Sequence, residues 1–372
     1  MNFKLMFCDF LQVIYILLSI IDMGYQNLTE IYLNMNSTMT QRDQFHSFYL
    51  VTRRFTGLIL YPIVSLFGLF ANAFGVIVFT RRGMRTPTNV FCIALAATDS
   101  TKIINDILYF VVVLITEIPG ADWKRIFISL YPVTHYVFHT TMMAAALLTV
   151  AIAIERYVEV CHPHKARSVC TITLAASTSI CILFFAILMS IPYACKYTIS
   201  EHEMNGTMID LDLTVTKLWV KGPFAISFTW VHYVLRSLLP LVLLIVFSAR
   251  IIYALRSHRL GNSKKRITVC ILAVIAVFVM CNFPDTIMST ILNTGYYEAS
   301  YLVRGFREIT DFFLLLQTTT NIVIYCTLNR SFMKTSKVLI KKWNRCNRRV
   351  SFGDKPKEQI PLRRYTVDSL LS

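Results

Sequence analysis

Glu155-Arg156-Tyr157 puts an acid, a base and a phenol together at the end of 29 residues, 126–154, that contain no Asp, Glu, Lys or Arg. That run exceeds the roughly 20 residues needed to cross a bilayer. Charge at a membrane edge is costly unless it is paired or hydrated, so an acid–base pair there is rarely idle. More charge lies inside other apolar stretches: Asp99, Lys102 and Asp106 in one, Arg236 in another, Asp285 in a third. Arg236 can face Asp285, and Lys102 stands four residues before Asp106, the spacing of an internal helix pair. His135 and His139 read as wall or packing residues ahead of metal ligands. An enzyme is the least favoured class, because no nucleophile–base set and no metal-ligand spacing is present.

These residues need a membrane scaffold to position them. Hydrophobic residues make up 55% of the 372 and charged residues 16%, well under the roughly 25% charge of a soluble domain. The apolar mass divides into runs at 55–80, 86–116, 126–157, 168–195, 223–249, 267–297 and 312–329. Each is long enough to span as a helix. The expectation is an all-α membrane protein: a seven-transmembrane bundle over 55–328, a tail at 1–54, and a helix and tail at 329–372. A transporter or channel would need repeats or discontinuous helices around a polar midplane. No internal repeat is visible, and Asp99, Asp285 and Asn321 make a poor conduction path.

Loop charge sets the orientation. With the N-terminus outside, 23 Lys and Arg fall on the inner side and 11 on the outer, the latter beside 13 acids. The positive-inside rule favours that arrangement at the plasma membrane. It also accounts for the net charge of +16 through inner-leaflet lipid, without nucleic acid. Glycosylation sequons at Asn27, Asn36 and Asn205 fall on the outer side, while the one at Asn329 would stay bare inside. The apolar segment 10–21 is too short to span, and 1–24 reads as a signal peptide or as a partly apolar tail.

Glu155-Arg156-Tyr157 at the foot of a third span resembles the rhodopsin-like (class A) G-protein-coupled receptors. The stretch from there through Cys161-His162-Pro163-His164-Lys165-Ala166-Arg167-Ser168-Val169-Cys170-Thr171 is similar to the second cytoplasmic loop of invertebrate FMRFamide-type neuropeptide receptors. Cys281-Asn282-Phe283 and Asn321-Ile322-Val323-Ile324-Tyr325 share that similarity. The resemblance covers roughly 55–335. It implies a heterotrimeric G protein as inner partner and a switch built from Glu155, Arg156, Tyr157, Asn321, Tyr325, the hinge Pro284 and the fifth-span Pro240. It also implies that Asn72 and Asp99 face one another through water, with sodium at Asp99 as the one ion to consider.

Departures from the family pattern are equally specific. Asn282 stands for the hinge Trp, Ile322 for the Pro after Asn321, Ser248 for a Tyr, and Ala145 for the hydroxyl that would help hold sodium. Tyr131 stands where most of the family has the cysteine that bridges to the second outer loop, so that disulfide is expected to be missing. A basic amphipathic stretch after Asn329 should lie along the inner membrane face, with Cys346 either palmitoylated or a plain thiol. No Lys lies between Gly305 and Leu328, which leaves retinal without an anchor.

The resembling receptors take peptides ending in Arg-Phe-amide. An acid among Asp285, Asp106, Asp311 and Glu308 could then hold the ligand arginine. Arg236, His135 and His139 would complete the wall, and Tyr296, Tyr297 or Phe312 would receive the Phe. A small-molecule chemosensory receptor of the same fold is the alternative.

Overall fold

Hydrocarbon offers no water to the backbone, so each apolar run must close its own N–H···O=C bonds, and a helix does that within one segment. The computed structural model describes residues 41–116, 123–204, 208–220, 223–257, 262–288 and 301–351. Helix α1 runs through Gln41–Thr52, a π-helical stretch Arg53–Leu60, and Tyr61–Phe79. It is followed by α2 (Pro87–Thr116), α3 (Trp123–Cys161) and, after a loop helix at Pro163–Val169, α4 (Ile172–Ala194). Helix α5 comprises Pro223–Tyr233, a π stretch Val234–Leu238, and Leu239–Ser257. Then come α6 (Asn262–Thr286), α7 (Tyr301–Leu328) and α8 (Arg330–Ser351). The seven long helices form the expected bundle.

Six of them are apolar enough to cross a membrane by composition alone. The other is α2, whose middle holds Asp99, Lys102 and Asp106. Their neighbours in the bundle compensate for that charge, as described below. On the outside, Ile180 and Phe184 of α4 are 66% and 62% exposed, which suits a face turned to lipid.

Two π stretches end at Leu60 and Leu238, one residue short of Pro62 and Pro240. Proline lacks the N–H for an i→i−4 bond, and its ring clashes with the carbonyl four residues back. A widened turn relieves the clash without ending the helix.

The interior centres on the half that holds Glu155. Phe79, Leu95, Leu148, Ile152, Leu244, Ile324 and Phe332 are fully buried there. Helices α1 and α7 pack closely because α1 offers glycines. A β-carbon on Gly68 would stand 2.2 Å from Thr319, and one on Gly75 would stand 2.3 Å from Ile322. Small residues at such a seam let backbones approach without a hydrophobic drive.

Two features depart from the sequence expectation. Helix α1 already begins at Gln41, ahead of the apolar run at 55. The link after α4 is an antiparallel hairpin, β1 (Tyr197–Met204) with β2 (Met208–Val215), in a register that pairs Tyr197 with Val215 and Met204 with Met208. The strand β2 alternates Ile209, Leu211 and Leu213 with Asp210, Asp212 and Thr214, and Asn205-Gly206 lies between the strands in sequence. Period-two alternation around Asn-Gly is a strong hairpin signal.

Candidate functional site

At the Glu155 end, Arg156 is buried and surrounded by oxygen. Its Nε donates to Glu155 Oε2 at 2.7 Å and one terminal nitrogen donates to Glu155 Oε1 at 2.8 Å. The same nitrogen meets the hydroxyl of Thr88 from α2, and lies 2.5 Å from a Glu159 carboxylate oxygen. Thr88 in turn donates to Glu155 Oε2 at 2.8 Å. A cavity of about 440 Å³ opens beside these groups, walled in part by Pro163, Arg167, Ile267 and Ser331. Tyr157 turns away from the arginine. Its ring packs on Phe247 of α5, and its hydroxyl is 3.4 Å from His162 Nε2.

The polar residues of mid-bundle join α1, α2, α6 and α7. Asn321 donates to Asp99 Oδ2 at 3.0 Å, and Asn72 donates to the Thr318 carbonyl at 3.0 Å. No hydrogen bond joins Asn72 to Asp99; both converge on α7. Asn282, at the position of the expected aromatic, donates to the Phe278 carbonyl at 2.8 Å and to Gln317 Oε1 at 3.4 Å. Pro284 follows within α6. Ile322 leaves α7 unbroken as far as Leu328, and Tyr325 Oη lies 3.3 Å from Cys92 Sγ, with its ring on Phe79.

Asn329 accepts from the Phe332 N–H at 3.1 Å, so the sequon asparagine at that position caps α8. Asn27, Asn36, Asn205, Tyr296, Tyr297 and the side chain of Cys346 lie outside the described residues.

The opposite end separates the charged candidates into two places. Asp285 is bound on both oxygens, by Arg236 at 2.5 Å and by Arg307 at 2.7 Å. The Arg236 partnership is legible in the sequence, whereas Arg307 lies ahead of the last apolar run, which begins at 312. Helix α7 starts at Tyr301, which carries Arg307 inside the bundle. The π stretch of α5 contains Arg236 and directs it to α6.

The second place is a cavity of about 460 Å³ between α1, α2, α3 and α7. Asp106, Glu308, Asp311 and His135 line it, with Arg53, Arg54, Tyr61 and Lys102. Asp106 is already engaged, by Lys102 Nζ at 2.5 Å and by the Tyr61 hydroxyl at 2.9 Å. Phe312 is buried, and neither it, Asp285, Arg236 nor His139 lines this cavity.

Next to it, His139 stacks on Tyr193 with ring centres 3.7 Å apart, and His232 stands edge-on to both. His135 stands edge-on to His139. No group of His, Cys, Asp and Glu among the described residues has metal-binding geometry. His135 lines the cavity, while His139 and His232 lie against Tyr193.

Tyr131 occupies the place of the expected bridging cysteine. Its ring meets Tyr197 at the root of β1 edge-on, with centres 5.1 Å apart, and Cys195 forms no disulfide among the described residues. Lys196 lies 5.2 Å from the ring centres of both Tyr197 and Trp219, and burial lowers its pKa below the ordinary lysine value. Aromatic and cation–π contacts thus hold the hairpin where a disulfide could have.

A bundle of seven long helices, with a buried arginine at one end and a polar cavity at the other, defines a polytopic membrane protein. The chain matches the family of 7 transmembrane receptors (rhodopsin family) over residues 74–325 and belongs to it. That family consists of receptors rather than enzymes. The chain is 24% identical to the Sex peptide receptor of Drosophila melanogaster over 316 residues, covering 74% of this chain and 70% of that protein. It is also 24% identical to the FMRFamide receptor of Drosophila melanogaster over 289 residues, covering 74% of this chain and 52%, about half, of that protein. The Probable G-protein coupled receptor frpr-1 of Caenorhabditis elegans is 25% identical over 305 residues, with 77% and 78% covered.

Proposed function

We propose that this protein is a plasma-membrane receptor with its N-terminus outside, that it binds an amidated peptide of the FMRFamide type, and that it activates a heterotrimeric G protein. The observation that carries the reading is the bidentate Glu155–Arg156 pair beside an open cavity at the basic end of the bundle. A buried ion pair with space next to it can open to a partner that offers the arginine new acceptors. The names of the relatives support a peptide ligand.

The ligand enters the cavity between α1, α2, α3 and α7, where Glu308 and Asp311 meet its cationic group. Agonist binds the active arrangement better than the resting one and shifts the population toward it. Helix α6 pivots near Pro284, with the Asn282–Gln317 contact in the moving seam, and Arg156 leaves Glu155. Sodium at Asp99 has no part in this reading: Ala145 brings no side-chain oxygen, and Asn321 turns an N–H toward the carboxylate.

The test is a screen of amidated peptides on cells expressing the chain, read through several G-protein sensors. Arg156→Ala should keep surface level and peptide binding and lose the evoked response. A normal response in that variant would refute the reading, and a response only to small organic molecules would overturn the peptide part.

A further inference from the structure

We infer that the ammonium of Lys102 is an exchangeable cation, held by Asp106 in the resting arrangement and passed to Asp99 when a cationic ligand group takes its place. The inference rests on the reading of the cavity between α1, α2, α3 and α7 as the ligand site. Helix α2 carries Asp99, Lys102 and Asp106 at steps of three and four residues, so the lysine stands between two acids on one face, and all three are buried. One cation serves both. Here it serves the acid at the cavity: Nζ lies 2.5 Å from Asp106 Oδ2 and 5.6 Å from the centre of the Phe138 ring. The Tyr61 hydroxyl of α1 donates to the same oxygen at 2.9 Å. Lys102, Asp106, Tyr61 and Phe138 all line the cavity, so a ligand cation that enters it meets this pair.

The pairing runs against the preference of a helix. Helical side chains lean toward the N-terminus, which for Lys102 is the direction of Asp99. An acid ahead of the lysine is also the better order for a helical pair, because it agrees with the helix dipole. Asp99 meets that order and Asp106 does not. Asp99 is 1% exposed; its Oδ2 accepts from Asn321 of α7, and its Oδ1 reaches no hydrogen-bond donor among the described residues. A buried carboxylate oxygen without a donor carries a free-energy cost that an arriving ammonium offsets. The field of Lys102 already reaches Asp99 from one turn along the helix. Two seats for one cation form a balance that a second cation can tip. A guanidinium or ammonium in the cavity repels Lys102 and gives Asp106 a replacement partner. At Asp99 the lysine then competes with the Asn321 N–H, and occupancy of the cavity is passed along α2 to α7.

The experiment needs no ligand, because Asp106→Asn removes the charge of Asp106 as a bound cation would. Melting of detergent-solubilised receptor measures the coupling between Lys102→Met and Asp99→Asn in a double-mutant cycle. With Asp106 present the coupling should be small. In the Asp106→Asn background it should grow to roughly 4–8 °C of non-additivity in melting temperature. Agonist-independent G-protein activation per surface receptor is the second readout. Asp106→Asn should raise it about tenfold, and adding Lys102→Met should abolish the rise.

Equal coupling in the two backgrounds would overturn this inference alone, with the peptide reading still judged by the peptide screen. A basal rise that survives Lys102→Met would overturn it as well. If Lys102→Met by itself does not fold, surface level decides. Asp106→Asn should keep it, because the lysine still has Asp99, and adding Asp99→Asn should lose it; equal levels would overturn the inference.

Discussion

The side chain of Ile322 fills the volume that a β-carbon on Gly75 would need; such an atom would stand 2.3 Å from Ile322 Cδ1. Ile322 stands where a proline was expected, so its bulk and the absent side chain on α1 form one packing unit. Gly75→Ala should lower the thermal stability of detergent-solubilised receptor by about 1–3 kcal/mol, the cost of overpacking. Ile322→Ala in the same chain should recover part of the loss. Two independent, additive losses in the melting measurement would show that the contact does not couple them.

Asp285 pairs with two arginines from two other helices. Removal of its charge leaves Arg236 and Arg307 facing each other in a buried site, at a cost of roughly 3–5 kcal/mol for a broken buried pair. Asp285→Asn should therefore reduce surface expression sharply. Asp285→Asn with Arg236→Gln should restore a measurable part. Equal loss in the single and double variants, by surface immunolabelling, would argue that the charge is not the cause.

The hairpin is attached through rings. Tyr131→Ala or Tyr197→Ala should weaken ligand affinity several-fold, since an aromatic pair contributes about 0.5–1.5 kcal/mol beyond its burial. Cys195→Ser, or a mild thiol reductant on intact cells, should leave the response unchanged. A reductant-sensitive response with insensitive tyrosine variants would reverse this assignment.

Glu308 and Asp311 line the cavity, which Asp285 does not. Glu308→Gln and Asp311→Asn should each reduce the potency of a peptide carrying Arg before its amidated end by about tenfold. A peptide with that Arg replaced by a neutral residue should be indifferent to both changes. Loss of potency for both peptides alike would mean that the acids shape the cavity rather than meet the cation.

The sequence makes the spans legible because hydrocarbon burial writes itself as long uncharged runs, and the Glu155 lock is legible because charge at such an edge is rare. The Arg236–Asp285 pair is readable for the same reason. Three other features are harder to read. Arg307 looks like loop charge until α7 is known to start at Tyr301. Thr88 carries no charge, and its place in the site comes from a bond to a residue 68 positions away. The hairpin does have a local signal in its alternation and Asn-Gly, but that dipeptide also reads as a sequon. Helix α1 reaches back to Gln41 across Arg53 and Arg54, where composition alone suggests that the membrane segment has not begun.

The widened turn at Val234–Leu238 has a consequence for comparing this chain with its relatives. A π turn is one residue inserted into an α-helix. In a relative whose fifth helix is regular, no ungapped alignment can match both halves of α5, and one half will be out of phase by about 100°. Arg236 sits within the slip. A shift of one position would swing that side chain from the interior toward lipid, so equivalence at this site has to be assigned by which residue reaches Asp285 rather than by counting from Pro240.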